Sequence, residues 1–282
     1  MKNVALVAKR GKQEAADLAR QMASRYADRA FHAERHLARA LGWPVPEDNG
    51  KMVAQADLVI VLGGDGTMLH AARLHRGSRA PILGVNLGSL GFTTEIAPEE
   101  VFQRLDEVFA GRFVVDERMK LSCALVRGGA AVLEEEVLND VVLSKGAMAR
   151  IADHEMSIDG EYVTTYKADG VIISTPTGST AYSLSAGGPI VHPSMECVVV
   201  SPICSHALTQ RSLVVSPGRT ITVELKGGTE DVFLTIDGQV GQPLQAGDRV
   251  EVRRSDHRFP LIRNPAMSYF QVLRQKLHWG ER

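Results

Sequence analysis

Leu58-Val59-Ile60-Val61-Leu62 runs without a polar residue and stops at Gly63-Gly64-Asp65-Gly66-Thr67, after which helical spacing resumes from Met68 to Leu74. An unbroken β-branched run suits a parallel strand covered on both faces. A strand that passes through glycines into a helix is half of a strand–helix–strand unit, with a right-handed crossover and an open sheet. The neighbouring sequence repeats that order. Val4-Ala5-Leu6-Val7 reads as a strand, and Ala15, Leu18, Ala19, Met22 and Tyr26 mark a helix from about Gln13 to Ala30. Pro81-Ile82-Leu83-Gly84-Val85 reads as another strand, and Pro98 opens a helix that reaches Phe109. Phe31 to Leu41 shows no period that assigns it.

From about Arg118 the texture changes. Met119, Leu121, Cys123 and Leu125 alternate with Lys120, Ser122 and Ala124, the period of a half-buried strand. Further short runs, such as Ile221–Leu225 and Val232–Ile236, are separated by turn signals at Asp159-Gly160, Gly227-Gly228, Asp237-Gly238 and Ala246-Gly247-Asp248. Such spacing implies an antiparallel sandwich or barrel. Ala266 to Trp279 turns helical again. At roughly 100–200 residues per domain, 282 residues accommodate two domains, and 44% hydrophobic residues supply two cores. The expected fold is an α/β N-terminal domain with an open, mostly parallel sheet, plus an all-β sandwich C-terminal domain.

Charge and cysteine content exclude several classes. Thirty-two Lys+Arg against thirty-three Asp+Glu leave a net charge of −1 and no basic block, which argues against a nucleic-acid partner. Three cysteines without a C-x-x-C pair make neither a disulfide framework nor a zinc site. No apolar run reaches 18 residues, so neither a membrane span nor a membrane partner is expected, and the cytoplasm is the expected compartment.

The chemistry concentrates in four places. Gly63, Gly64, Gly66 and Thr67 sit where an open α/β sheet binds ligands, and glycine N–H groups and the following helix N-terminus favour phosphate. A carboxylate among them, Asp65, is out of place for anion binding alone and suits a base or a metal-coordinating group. A second glycine-rich turn, Asn86-Leu87-Gly88-Ser89-Leu90-Gly91-Phe92, follows the next strand. Asn139-Asp140 interrupts the apolar run Val137–Leu143, where buried polar groups need partners. Asp169 to Pro189 empties a strand into a loop crowded with hydroxyls and glycines, suited to a ligand rich in oxygens. Leu69 stands where a dinucleotide G-x-G-x-x-G needs its third glycine, and no lysine-bearing P-loop is present. His32 and His36 share i, i+4 spacing, but Ala33 occupies the glutamate position of a metalloprotease helix, so an exposed charged face is expected there.

Taken together, Gly63-Gly64-Asp65-Gly66-Thr67, the Asn86–Phe92 turn, Asn139-Asp140 and the Asp169–Pro189 segment resemble the NAD kinase family, in that family's order and over nearly the whole chain. The resemblance implies an α/β domain over residues 1–118, a β-sandwich over 119–256 with dinucleotide-binding loops, and a tail, 257–282, that returns to the first domain. It implies a kinase that uses ATP and a divalent metal, Mg²⁺ or Mn²⁺, carried with the ATP, to phosphorylate the 2′-hydroxyl of the adenosine ribose of NAD. A homodimer or homotetramer is implied as well. Asp65 matches the proton acceptor and Gly66 lies with it at the phosphates, while Asn139 and Asp140 match the pair that holds the ribose hydroxyls. Arg150, Lys167 and Asp169 fall on positions lining the dinucleotide site. Phe92 belongs to the second turn, Thr180, Ala181, Tyr182, Ser183, Leu184 and Ser185 to the closing loop, and Gln239 to a contact from the β domain. His70 lies just inside the helix after the turn, within reach of a ligand. The glycine-aspartate turn alone is shared with related lipid and sugar kinases, and a non-catalytic NAD(P)-binding sensor would keep the same pocket.

Overall fold

The computed structural model describes residues 1–146, 152–205, 207, 209–226 and 231–280. The chain divides into two compact units, Met1–Glu117 with Phe259–Arg282, and Arg118–Arg258.

In the first unit β1 (Asn3–Ala8), α1 (Gln13–Arg25), β2 (Ala30–Ala33), α2 (Arg35–Leu41), α3 (Asn49–Ala54), β3 (Leu58–Gly63), α4 (Asp65–Leu74), β4 (Ile82–Asn86) and α5 (Val101–Phe109) follow in order. The sheet order is β2-β1-β3-β4, all parallel, with Leu6 opposite Ile60 and Ile60 opposite Leu83. Every residue of β3 and β4 is buried, as strands covered on both faces require. α1 turns Ala15, Leu18, Ala19 and Met22 onto the sheet. It ends at Arg25, five residues short of the expected Ala30. The Tyr26 hydroxyl bonds the Phe102 carbonyl (3.1 Å) and Asp106 (2.8 Å) on α5, while Ala30 N–H donates to Lys2 O (2.9 Å) and opens β2. Residues 31–41, which carry no readable period, are the end of this short edge strand and the seven-residue α2.

In the second unit lie most of β5 (Val115–Arg127), then β6 (Ala130–Val137), β7 (Asp140–Lys145), β8 (Ala152–Ile158), β9 (Glu161–Ala168), β10 (Gly170–Ser174), α6 (Tyr182–Ser185), β11 (Val198–Ile203), β12 (Leu213–Val215), β13 (Ile221–Lys226), β14 (Val232–Ile236), β15 (Val240–Pro243) and the first part of β16 (Arg249–Ile262). The last residues of β16 and α7 (Tyr269–Leu277) belong to the first unit. One antiparallel sheet runs β12-β11-β10-β7-β14-β15, and another contains β16-β13-β8-β9. Their inward residues, among them Leu143, Ile173 and Val200 from the first and Met156, Val223 and Val250 from the second, form one buried cluster. Two sheets over a common core make the expected sandwich. The turns at Asp159-Gly160 and Asp237-Gly238 take positive φ at both residues, as tight hairpins require. The Gly227-Gly228 turn lies outside the described residues.

Candidate functional site

β3 delivers Gly63 to the end of the sheet, Gly64 caps α4, and Asp65 is the first helical residue. The parallel register puts Gly63 opposite Asn86, so both glycine-rich turns leave adjacent strands. The Asp65 carboxylate ties them together. Its Oδ2 accepts from Phe92 N–H (3.0 Å), and its Oδ1 accepts from Thr93 N–H (2.9 Å) and the Thr93 hydroxyl (2.7 Å). A Cβ on Gly91 would stand 2.4 Å from both Asp65 Oδ1 and the Thr94 hydroxyl oxygen, which explains that glycine. A carboxylate accepts about four hydrogen bonds; three are made within the turn, and Oδ2 keeps one lone pair. Gly64 and Gly66 face open space, so nothing inside the protein requires them to lack a side chain, whereas Gly63 is packed against Thr67. Phe92 is half-buried, with the Lys276 ammonium 5.9 Å from its ring centre.

A cavity of about 370 Å³ opens beside Gly64 and Gly66, and His70 lines it. His70 Nε2 lies 3.0 Å from Glu34 Oε2. Of the charged face expected around His32 and His36, His32 and Arg35 are exposed, but His36 is half-buried and Glu34 is 1% exposed. His32 is on a strand and His36 on a helix, and the carboxylate between them points inward.

The second unit gathers the other motifs. Asn139-Asp140 enters β7, and three consecutive amides there, from Leu138 (2.9 Å), Asn139 (2.7 Å) and Asp140 (3.1 Å), donate to the Asp237 carboxylate. Asp237 was legible only as a turn residue. The hydroxyl-rich segment clamps the same backbone: Thr175 N–H donates to Asn139 O (2.9 Å), and the Thr175 hydroxyl donates to Leu138 O (2.6 Å). Asn139 is held through its backbone, and its half-buried side chain makes none of these bonds. Burial, then the neighbouring Asp237 charge, pushes Asp140 up to about 7, against the opposing Tyr182 N–H. Burial likewise raises Asp237, opposed by the three amides and by Lys120.

The remaining expected residues are placed unevenly. Asp169, between β9 and β10, pairs with Lys145 at 3.3 Å. Thr180 bonds the Thr177 carbonyl (3.3 Å), and Ala181 N–H the Gly178 carbonyl (2.9 Å). Tyr182, Ser185, Lys167 and Gln239 are exposed and Leu184 is half-buried, whereas Ser183 turns its hydroxyl inward to Ser201 (3.3 Å). Arg150 lies outside the described residues.

One titration opposes that of the carboxylate pair. His154 on β8 is fully buried, neither ring nitrogen has a hydrogen-bond partner, and burial lowers it to about 4 despite Asp153. Above pH 6.5 His154 is neutral in both states. Between 6.5 and 4 the unfolded chain takes up a proton that the folded one refuses, so stability falls with pH by about 3 kcal/mol in all. The raised Asp140 works the other way: below pH 7 the folded state holds a proton that the unfolded chain releases, and stability rises as pH falls. The wild type therefore conceals both slopes. His154→Leu is expected to become more stable relative to wild type as pH falls from 6.5 to 4, read from urea midpoints. A constant difference across that range would reject the assignment.

The N-terminal and C-terminal domain models of the ATP-NAD kinases match residues 46–113 and 138–264. NAD kinases of Geobacter sulfurreducens and Geotalea daltonii are 54% and 52% identical over 88% of each chain, and that of Syntrophotalea carbinolica is 48% identical over the full length of both. Among solved structures, a yeast NADH kinase in complex with NADH superposes with a TM-score of 0.92 at 26% identity, over 100% of this chain and 89% of that one. An Archaeoglobus fulgidus NAD kinase in complex with ATP shares the fold, with a TM-score of 0.77 at 23% identity over 98% of each chain. The glycine-aspartate turn by itself left several kinases open; with both domain models matched and full-length relatives near one-half identity, the chain belongs to the NAD kinase family.

Proposed function

We infer that the chain transfers the γ-phosphoryl group of ATP to the 2′-hydroxyl of the adenosine ribose of NAD, giving NADP and ADP. The observation that carries this reading is the Asp65 carboxylate, fixed at the mouth of the Gly64–Gly66 turn with one lone pair of Oδ2 uncommitted. In the transfer a bond forms between the ribose oxygen and the γ-phosphorus, and the bond to the bridging oxygen of ADP breaks. The hydroxyl proton passes to Asp65 Oδ2. Phosphoryl transfer has a loose transition state, so positioning and charge stabilisation supply most of the catalysis.

The first unit is assigned the phosphoryl chemistry, with the turn from Gly64 to Thr67 and the N-terminus of α4 set against the phosphates. The second is assigned dinucleotide recognition, with Asn139 and Asp140 on the ribose and Lys167, Asp169, Gln239 and the loop from Thr180 to Ser185 around it. Among the described residues no three His, Cys, Asp or Glu side chains are grouped to hold a metal. The reading includes a Mg²⁺ or Mn²⁺ ion carried with the ATP, which would neutralise charge developing on the phosphates. The reading includes a homodimer or homotetramer, which light scattering measures.

Purified protein incubated with NAD, ATP and Mg²⁺ is expected to form NADP; no product would overturn the reading in favour of a sensor. Because Asn139 is held through its backbone, Asn139→Ala removes a ribose contact at little structural cost. The Michaelis constant for NAD is expected to rise about tenfold, the loss of one hydrogen bond, with that for ATP within twofold. Equal losses for both substrates would make the pair structural.

A further inference from the structure

A cavity of about 390 Å³ lies where the end of α5, β4 and the last residues of β16 meet, wholly inside the first unit. Its floor is aliphatic and buried: Leu83 from β4, Ile96 from the loop that follows it, Val108 from α5 and Ile262 from β16. Phe113 and Met267, both half-buried, stand at its sides. Four charged side chains share the wall, Arg104, Glu107, Arg112 and Arg263. Glu107 pairs with Arg104 (2.8 Å). Glu95 and Asp116, which do not line the cavity, each lie 3.4 Å from Arg263. Arg112, exposed at the rim, has no carboxylate partner among the described residues. The buried Arg104 Nε is a further donor without a hydrogen-bond partner among them, and such a donor costs free energy until an acceptor reaches it.

We propose that this cavity binds a medium-chain aliphatic monocarboxylate, and that its occupancy stiffens the turn that holds Asp65. An apolar pocket with a few convergent polar groups is the usual form of a small-molecule site. At about 30 Å³ for each water-sized group the cavity holds about a dozen non-hydrogen atoms, the size of a carboxylate with about eight to ten carbons. The branched side chains of the floor take the tail out of water. One uncompensated cation, Arg112, suits a single negative charge, whereas a phosphate monoester brings nearly two. The carboxylate answers Arg112 and offers an acceptor to Arg104 Nε. Leu83 and Ile96 stand at the two ends of the segment that carries the second glycine-rich turn. Asn86 N–H donates to Ile96 O (2.8 Å), and within that segment Phe92 and Thr93 donate to the Asp65 carboxylate. A tail packed on both ends restrains local opening of the turn. Neither half depends on the proposed substrates.

The test uses octanoate as the probe and the full chain. Calorimetry is expected to show one octanoate bound per chain with a Kd of about 1 mM or below. At about fourfold per buried methylene, butyrate is expected to bind at least fiftyfold more weakly. Octanol, with the same tail and no charge, is expected to lose at least tenfold. Arg112→Ala changes only an exposed side chain and is expected to keep the wild-type melting temperature while weakening octanoate about tenfold. Met267→Trp fills the cavity from its half-buried side and is expected to abolish binding. In hydrogen exchange, octanoate is expected to slow the Phe92 and Thr93 amides at least threefold and to leave the amides of β10, in the second unit, unchanged. No binding, or octanol equal to octanoate, would overturn the site. So would octanoate that binds both variants as it binds the wild type, because it then sits elsewhere. Binding with unchanged Phe92 and Thr93 exchange would overturn the link to the turn.

Discussion

Asp65→Asn is expected to lower kcat by about two to four orders of magnitude, the usual contribution of a positioned general base, while NAD binding changes little. The turn makes the substitution less innocent than its isosteric shape suggests. Asp65 accepts three hydrogen bonds and donates none. An asparagine keeps one oxygen, which can stay with Thr93, and turns its NH₂ toward the Phe92 N–H. Donor then faces donor in a half-buried turn, at a cost of about 1–3 kcal/mol. A lower melting temperature is thus expected together with the lost turnover, and activity alone does not separate base from brace.

Thr93→Val makes that separation. It removes the 2.7 Å hydroxyl bond to Oδ1, keeps the backbone bond, and leaves the carboxylate and the lone pair of Oδ2 in place. Stability is expected to fall by about 1 kcal/mol, with kcat within roughly fivefold of wild type. If Thr93→Val costs as much turnover as Asp65→Asn, the carboxylate serves the turn and not the chemistry.

What the sequence disclosed follows from how far each determinant lies along the chain. β3 and its glycine turn were legible because strand, turn and helix are all coded within seventeen residues, Leu58 to Leu74. Where α1 stops was not, because Tyr26 is anchored to Asp106, eighty residues on. Residues 31–51 resisted for another reason: a four-residue edge strand and helices of seven and six residues are too short to show a period. Glu34 reads as surface among Arg35 and His36, and only Ala8 and His70 reveal why it is buried. In the site, the glycines and the polar pair were visible by type. Asp237 was not, since Asp-Gly announces a turn whatever the carboxylate holds, and the amides it accepts from are some 98 residues away.

The clamp on Asn139-Asp140 leads to the other large effect. Gly178→Ala is expected to destabilise the protein by about 3 kcal/mol or more and to raise the Michaelis constant for NAD at least tenfold. A Cβ at Gly178 would stand 2.5 Å from the Asn139 carbonyl carbon and 2.6 Å from its Cα, so backbone and not a side-chain tip must yield. Neither partner has room to do so. Asn139 is held by the Asp237 carboxylate through its N–H (2.7 Å) and by Thr175 N–H at its carbonyl (2.9 Å). Gly178 is held by its own N–H to the Thr175 hydroxyl (3.0 Å), which in turn grips Leu138 O. Any relief displaces the polar pair or opens the loop. Gly187→Ala is the control, because φ there is +82° and nothing lies within 4 Å of the added carbon. It carries only the backbone penalty of about 1–2 kcal/mol and leaves NAD binding intact. Should Gly178→Ala match wild type in urea midpoint and in NAD affinity, the Asn139-Asp140 pair is not fixed by this contact, and the hydroxyl-rich segment has some task other than holding it.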